Sequence, residues 1–222
     1  MMLRFQFEFP QHHAPGFDAS SPVSESGLAT TAHLEDTVGS GSDSDCFVFD
    51  NLGVAPPETS WLPGPDYLLR IIRPRLMVPM PLDLPVWPFF GFWVLHFTRI
   101  FRSPDYAVFV VFRDELPVHY TAVVPKYFRY PLMEPSDLLL GSIWTKPGHR
   151  GRSIARSVVA AILRTYSGRR CWYLTRTENL ASMSIASASK LRPIGRASRS
   201  SRFGLRLLGS FRLSQKDKRC PL

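Results

Sequence analysis

The clearest alternation of apolar and polar positions lies in the second half of the chain. Two runs of β-branched and aromatic residues, at 106–112 and 118–124, flank the polar segment RDELP, and this arrangement predicts a β-hairpin. The segment DLLLGSIWT (137–145) predicts a further strand, apolar on both faces for part of its length, as is typical of a central strand. A shorter strand is predicted at CWYLT (171–175).

Two segments change from the strand period to the helical period. From Ser153 to Tyr166 apolar residues recur at i, i+4 and i+8 while arginines fall on the other side, which predicts a helix. Gly168 stands where a helix C-cap glycine is expected. Asn179 is a suitable N-cap for a second helix over 180–189. The order hairpin, strand, helix, strand, helix predicts an α/β domain whose last two strands are parallel neighbours.

The first 104 residues carry weaker signals. Residues 1–60 are rich in Ser, Gly and acidic residues without a sustained period, and they are predicted to form a disordered tail. Residues 61–104 are rich in proline and aromatic residues and are predicted to form the N-terminal part of the domain, with a short helix at 67–72. The apolar run Leu84–Phe97 is too short to span a bilayer. It predicts buried core, with an interfacial or partner-binding surface as the alternative.

The net charge of +9 is distributed unevenly along the chain. Residues 1–60 contain one basic residue and nine acidic ones, whereas residues 146–222 contain 18 Lys and Arg and two acidic residues. Such a basic region attracts nucleic acid, an anionic membrane surface or a phosphorylated cofactor. Residues 214–222 are predicted to be a basic tail.

The cysteines and the N-terminus bear on the compartment. The three cysteines are far apart and show no metal-type spacing, so a reducing cytoplasm is the expected location. The N-terminal segment does not follow the pattern of a signal peptide.

The residues that open the first predicted helix suit an anion. Gly151, Ser153 and Ala155 occupy alternate positions there, and Arg150 and Arg152 flank them. A helix N-terminus presents unpaired N–H groups and a partial positive charge, and small side chains let a pyrophosphate approach the backbone. The sequence has neither the Gly-Lys-Ser/Thr of a P-loop nor the three-glycine dinucleotide spacing, and zinc-type ligand spacing and a nucleophile elbow are lacking too.

Two stretches together resemble the GNAT superfamily of acyl-CoA-dependent N-acyltransferases. They are GSIWTKPGHRGRSIARSVVAAIL (141–163) and WYLTRTENLASMSIASASKL (172–191). In that family an Arg/Gln-x-x-Gly-x-Gly/Ala segment opens a helix over the pyrophosphate of coenzyme A. This chain matches at Arg150 and Ala155 and has Ser153 in place of the usual glycine. The resemblance implies a mixed, mostly antiparallel sheet flanked by helices, with a central splayed pair of parallel strands, over residues 105–213.

The resemblance also implies a binding site for acetyl-CoA as co-substrate, with no metal. The residues implied to hold it are Trp144, Thr145, Arg150, Gly151, Arg152, Ser153, Ile154, Ala155, Asn179 and Ser182. The backbone near Trp144 and Thr145 would hold the acyl end. The glycine and aromatic that often end the family's last helix are replaced by Lys190 and Leu191, and that helix lacks the tyrosine that often serves as general acid.

The implied reaction is direct attack of a neutral amine on the thioester within a ternary complex. A base must then remove a proton from the ammonium. His119 is a candidate because imidazole titrates in the right range and because it lies on the hairpin strand beside the site. Asp137 and Glu134 are weaker candidates, and a structural role for His119 is the alternative.

The acceptor is expected to be a small amine. Segments 127–145 and 194–209 look most like GNAT members of bacterial surface-polysaccharide synthesis, which implies an amino-sugar intermediate, including nucleotide-linked ones. One alternative is a non-catalytic nucleic-acid-binding module, supported by the basic C-terminal third and its interleaved aromatics. It is disfavoured because the arginines of 150–156 cluster at one helix start. The other alternative is a degenerate GNAT that serves as a partner-binding protein, and the basic end would also suit peripheral contact with an anionic membrane.

Overall fold

The computed structural model describes residues 46–55, 62–74, 86–201 and 209–214. The strands are β1 (Cys46–Asp50), β2 (Tyr67–Ile72), β3 (Ala107–Arg113), β4 (Leu116–Pro125), β5 (Leu138–Thr145), β6 (Cys171–Arg176), β7 (Arg192–Arg199) and β8 (Phe211–Ser214). The helices are α1 (Val86–Phe97), α2 (Ile154–Thr165) and α3 (Leu180–Ala188), and a short 3-10 turn covers Pro147–His149.

The strands described form one mixed sheet in the order β2-β3-β4-β5-β6-β1-β7-β8. Neighbouring strands are antiparallel except β5 and β6, which pair in parallel over Leu138–Leu140 and Cys171–Tyr173. Beyond these residues β5 continues to Thr145 and β6 to Arg176 without pairing with each other, so the two strands diverge. The predicted hairpin and the predicted mixed sheet with one parallel pair are confirmed.

Helices cover both faces of the sheet. On one face α2 buries its apolar stripe, including Ile154, Val158 and Ile162, against strand residues such as Phe109. On the other face α1 contributes Phe89 to a second, largely aromatic cluster. Each fully buried side chain of this size contributes about 1.5–3 kcal/mol, so the two layers hold the helices firmly against the sheet. The sheet is thus the scaffold that places the start of α2.

Residues 67–72 form a strand, so the predicted helix there is wrong. Tyr67 pairs with Arg113 and Ile72 with Val108, which adds β2 to the free edge of β3. Six residues are too few to nucleate a helix, whereas the edge of β3 offers six pairings. The alternation of buried Tyr67 with exposed Leu68 fits an edge strand.

Strand β1 lies within the segment predicted to be a tail. All five of its residues are buried, and it is inserted between β6 and β7. Its last residue, Asp50, accepts hydrogen bonds from Arg170 Nε at 2.8 Å and from Arg192 Nε at 3.1 Å. For residues 46–50 a strand therefore replaces the predicted tail, while residues 1–45 and 215–222 lie outside the described residues.

The apolar run near residue 90 forms α1. Phe89 is fully buried, whereas Phe90 is 48% exposed, so the described part of this run is neither wholly core nor wholly surface. Within the described ranges, no helix has the length and apolar character needed to cross a membrane.

Candidate functional site

The last residues of β5 and β6 do not pair with each other, and the gap between these two strand ends is called the cleft below. A register shift in the β4–β5 ladder between Tyr120 and Ala122 marks a bulge, and Ser142 in β5 has φ +49°. Beyond this bulge Trp144 and Thr145 are half-buried. Their backbone lies at the edge of β5 that faces β6 but makes no ladder with it.

The segment after β5 turns sharply before α2 begins. Gly151 has φ +74°, and Ser153, the N-cap residue, has φ +59° and ψ +10° without a side-chain cap bond. The N–H of Ser157 makes the first intrahelical bond, 3.0 Å to the carbonyl oxygen of Ser153. The N–H groups of Ile154 and Ala155 precede it, and they are the unsatisfied donors that every helix start presents. An anion on this turn would therefore meet converging N–H donors.

Two arginines connect this turn to two different strands of the sheet by hydrogen bonds. Arg150 Nε donates to the carbonyl oxygen of Thr145 at 3.1 Å, which ties the turn to the end of β5. Arg152 Nη1 donates to the hydroxyl of Tyr67 at 3.3 Å, and that hydroxyl lies 3.1 Å from Nδ1 of His149. Tyr67 and His149 were missed at the sequence level because the contact spans 82 residues. The only local signal was the position of His149 directly before Arg150.

The side chain of His149 titrates below its ordinary range. Desolvation, together with the positive charges of Arg152 and Arg113, lowers the pKa of His149. Its ring is therefore neutral at neutral pH and bonds to Tyr67 without adding to the positive charge of the turn.

Asn179 caps α3 as predicted. Its Oδ1 accepts a hydrogen bond of 3.0 Å from the backbone N–H of Ser182. The hydroxyl of Tyr173 donates to the carbonyl oxygen of Ser182 at 3.2 Å, which joins α3 to β6. Because β5 and β6 are parallel, their carboxyl ends meet at one edge, and Asn179 lies at the same edge as Thr145. The structure thus brings together the end of β5, the α2 turn and the start of α3.

The sequence profile of the Acetyltransferase (GNAT) family matches residues 72–187, which is just over half of the chain. The chain belongs to the GNAT acetyltransferase family. No curated protein sequence matches it.

Several solved structures are similar to this GNAT chain. A putative GNAT acetyltransferase from Novosphingobium aromaticivorans has 12% identity and a TM-score of 0.45, with 69% of this chain and 61% of that chain covered. A tandem GNAT protein of the clavulanic acid biosynthesis pathway has 14% identity and a TM-score of 0.45, with 69% and 51% covered. Aminoglycoside N-acetyltransferase AAC(6′)-Iy in complex with CoA has 18% identity and a TM-score of 0.39, with 68% and 99% covered. The chain therefore spans roughly half to three fifths of the first two structures.

His119 of this GNAT domain is fully buried beneath α2. It pairs with Val111, a member of the core cluster under that helix. Its Nδ1 lies 2.8 Å from Thr145 Oγ1 and its Nε2 lies 2.9 Å from Thr121 Oγ1. Burial lowers the pKa of His119 to about 3, so the ring is neutral at neutral pH. Both ring nitrogens already have hydrogen-bond partners. This geometry therefore favours a role for His119 in orienting the Thr145 hydroxyl, in preference to its predicted role as general base.

Asp137 is not brought to the cleft. It lies at the beginning of β5, where its Oδ2 accepts from Trp172 Nε1 at 2.7 Å and from the N–H of Glu134 at 2.8 Å. The length of β5 separates it from Thr145, roughly 26 Å over eight residues at the usual rise of a strand. Asp137 and Glu134 therefore belong to the opposite end of the strand, where they close a loop instead of facing a substrate.

The α2 turn of this GNAT domain fits a pyrophosphate. A Cβ built on Gly151 would meet no heavy atom within 4 Å, so the space over the turn is open. Arg150 and Arg152 lie within four residues before the first N–H groups of α2 and add positive charge to this turn. Among the described residues no group of three His, Cys, Asp or Glu side chains is placed to hold a metal ion.

Proposed function

We propose that this GNAT protein transfers an acetyl group from acetyl-CoA to a primary amine. The observation that carries the proposal is the divergence of β5 from β6 directly beside the open α2 turn. One polar turn and one open strand edge lie side by side, which is the arrangement a phosphorylated acyl carrier needs at its two ends. The family assignment supports this general chemistry.

The α2 turn would hold the pyrophosphate. Gly151 and Ser153 keep the surface of the turn low, and the N–H groups of Ile154 and Ala155 would donate to phosphate oxygens. Ile154 contributes through its backbone alone because its side chain is buried. Arg150 and Arg152 would add positive charge at the rim, while Asn179 and Ser182 would border the carrier arm through the first turn of α3.

The end of β5 would hold the acyl group. When bound, acetyl-CoA supplies an acyl group activated as a thioester. The chain's own part is to hold both substrates in one orientation and to aim a backbone N–H near Trp144 at the carbonyl oxygen. The Thr145 hydroxyl is kept in place by its 2.8 Å contact with His119. We therefore assign His119 a positioning role.

We extend the proposal to an amino-sugar acceptor, including nucleotide-linked ones, in the cytoplasm. Trp144 and Tyr120 stack at 5.4 Å with 19° between their planes, and Phe89 of α1 meets Tyr120 edge-on at 5.0 Å. This aromatic group lies on the α1 face of the sheet, at the end of β5. Aromatic faces attract an ammonium group, so the half-exposed ring of Trp144 suits the approach of an amine, while the buried rings of Tyr120 and Phe89 hold it in place.

The proposal is tested by following thiol release from acetyl-CoA with a set of acceptors. Glucosamine, a UDP-linked amino sugar and a simple alkylamine are compared with glucose, which replaces the amine by a hydroxyl. We expect thiol release with the amines alone and a product heavier by one acetyl group in mass spectrometry. Trp144→Leu should raise KM for the amino sugar more than KM for acetyl-CoA, with Phe211→Leu in β8, at the edge of the sheet, as a remote aromatic control.

Two results would contradict parts of the proposal. Binding of acetyl-CoA without thiol release for any amine would refute the enzymatic function and favour a partner-binding GNAT. Transfer to the alkylamine with none to either amino sugar would refute the acceptor class and leave the acetyl transfer standing.

A further inference from the structure

A second cavity lies away from the α2 turn. It has a volume of about 530 Å³ and lies between the loop after α1 and the loop after β4. Its walls include three basic and three apolar or aromatic residues: Arg99, Arg102, Lys126, Ile100, Tyr127 and Phe128. A cavity of this size lies in the range of about 300–1,000 Å³ that small-molecule sites occupy.

The three basic side chains of this cavity carry charge that no described acid neutralises. Among the described residues, Arg99, Arg102 and Lys126 take part in no ion pair. Other arginines of the chain differ: Arg170 lies against Asp50 at 2.6 Å, and Arg169 lies against Asp105 at 2.6 Å. Three neighbouring cations that no described acid neutralises give the cavity a positive potential.

The walls of the cavity are held by the backbone and by aromatic packing. The N–H of Arg102 donates to the carbonyl oxygen of Lys126 at 3.0 Å, so the two loops are joined directly. Tyr127 is buried, and its ring packs 5.6 Å from Phe101. Phe128 is 49% exposed and so leaves an aromatic surface beside the charges. The backbone of the two loops is therefore held in place, while the side chains of Arg99 and Arg102 and the ring of Phe128 are accessible to a ligand.

This cavity and the α2 turn lie at opposite ends of β4. The β4–β5 register pairs His119 with Thr145 at one end and Pro125 with Leu138 at the other. Lys126 directly follows Pro125, whereas the α2 turn follows Thr145. The two ends are roughly 20 Å apart at the usual rise of a strand. The cavity is therefore separate from the site proposed for acetyl-CoA.

We propose that this cavity binds a small phosphorylated molecule with an aromatic group, of the nucleotide class. The guanidinium groups of Arg99 and Arg102 match the geometry of phosphate oxygens, and Lys126 adds a point charge. The exposed ring of Phe128 offers a stacking surface for a base. A concave site favours a small ligand over an extended nucleic acid, which would follow a groove. The inference does not depend on the proposed acetyl transfer.

The test uses the full chain and a fluorescent ADP carrying an N-methylanthraniloyl group, followed by anisotropy at low salt. We expect saturable binding that inorganic pyrophosphate displaces. Because the site is partly open to solvent, each charge removal should weaken binding up to about fivefold. The triple variant Arg99→Gln, Arg102→Gln, Lys126→Gln should weaken it at least about twentyfold. Phe128→Ala should weaken binding of the ADP probe while leaving the affinity for pyrophosphate unchanged.

Two control variants separate this cavity from net charge and from the α2 turn. Arg70→Gln, Arg176→Gln, Lys190→Gln removes the same charge at exposed positions outside the cavity and should keep most of the affinity. Gly151→Trp alters the α2 turn and should keep the affinity as well. Circular dichroism of each variant confirms that it is folded.

Four outcomes would overturn the inference. Equal losses in the two triple variants would show that net charge alone attracts the probe, and loss in Gly151→Trp alone would assign the probe to the α2 turn. Displacement by phosphatidylglycerol vesicles but not by pyrophosphate would point to a lipid surface. Tighter, steeply salt-dependent binding of a single-stranded oligonucleotide, weakened by the cavity variant, would point to nucleic acid.

Discussion

The two ends of β5 are built in opposite ways. At its beginning, Leu138–Leu140 pairs with β6, and the N–H of Leu138 donates to the carbonyl oxygen of Arg170 at 3.0 Å. The carboxylate of Asp137 accepts from Trp172, and the guanidinium of Arg170 lies 3.9 Å over the Trp172 ring. The buried polar groups of this closed end thus have partners, which is the condition for burying them without a large loss of stability.

At its other end, β5 leaves its neighbour. Ser142 has a positive φ, the ladder to β6 has ended, and Trp144 and Thr145 are half-buried. Ser153 after the strand is also in the left-handed region, which is unfavourable for a residue other than glycine. The closed end thus contributes stability, whereas the open end holds strained backbone and unsatisfied donors, as functional sites commonly do.

Removing Asp50 should have the largest effect on stability. The carboxylate is fully buried and neutralises Arg170, directly before β6, and Arg192, the first residue of β7. Asp50→Ala is expected to lower the free energy of unfolding by about 3 kcal/mol, because it removes the hydrogen bonds from both guanidinium groups and from the N–H of Leu52. The measurement is urea denaturation. Glu115→Gln, which breaks an exposed 3.7 Å ion pair with Arg70, should cost less than about 0.5 kcal/mol, and equal losses would refute the distinction.

A single hydrogen bond of the closed end should come next. Trp172→Phe removes the donor to the Asp137 carboxylate and is expected to lower the free energy of unfolding by about 2–3 kcal/mol. KM for acetyl-CoA should remain within about twofold of wild type, since the open end is untouched. A large rise in KM with unchanged stability would break the proposed division between the two ends.

The pH dependence of stability should report His119. Because burial holds the pKa of His119 at about 3, the native state binds fewer protons than the unfolded state between about pH 3 and pH 6.5. His119 therefore leaves the free energy of unfolding unreduced above pH 6.5 and lowers it as the pH decreases, by about 2 kcal/mol at pH 5. We expect the free energy of unfolding, measured by urea denaturation from pH 5 to pH 8, to depend less steeply on pH in His119→Gln than in wild type. Identical slopes would contradict the buried neutral ring.

The same residue bears on the activity profile. If His119 orients Thr145 and is not the base, the pH profiles of kcat/KM for wild type and His119→Gln should have the same shape near pH 6.5. An inflection near pH 6.5 that this substitution abolishes would restore His119 as the base.

The smallest effect should come from the strained start of α2. Ser153→Gly is expected to raise the free energy of unfolding by about 0.5–1 kcal/mol because glycine tolerates the positive φ of this position. Differential scanning calorimetry would detect this as a modest rise in Tm. Ser142→Gly in the bulge of β5 should act in the same direction. A fall in Tm for both would show that these hydroxyls stabilise the open end.

Elements with a long and regular pattern were predictable from the sequence. The predicted helix from Ser153 and the observed α2 from Ile154 agree closely, because amphipathic period and the small residues at its start point to the same boundary. Asn179 was predictable as a cap because capping is a contact between near neighbours in sequence.

The rest depended on distant partners. The run CFVF before Asp50 favours a strand locally, yet its acidic, Ser-rich surroundings hide it, and its arginines lie 120 and 142 residues away. Residues 67–72 fit either period because the run is short, so the free edge of β3 decides. From the sequence alone, the imidazole of His119 is expected to have an ordinary pKa. Its burial and its two threonine partners become evident only from the strand register.

Calorimetric titration of acetyl-CoA into Gly151→Trp and Gly168→Trp tests the central claim most directly. Both glycines have positive φ and open space at the Cβ position, and they lie at opposite ends of α2, so the two substitutions carry comparable strain. We expect wild type and Gly168→Trp to bind acetyl-CoA and Gly151→Trp not to bind it. Unchanged binding by Gly151→Trp, or equal loss in both variants, would contradict a pyrophosphate site on the α2 turn.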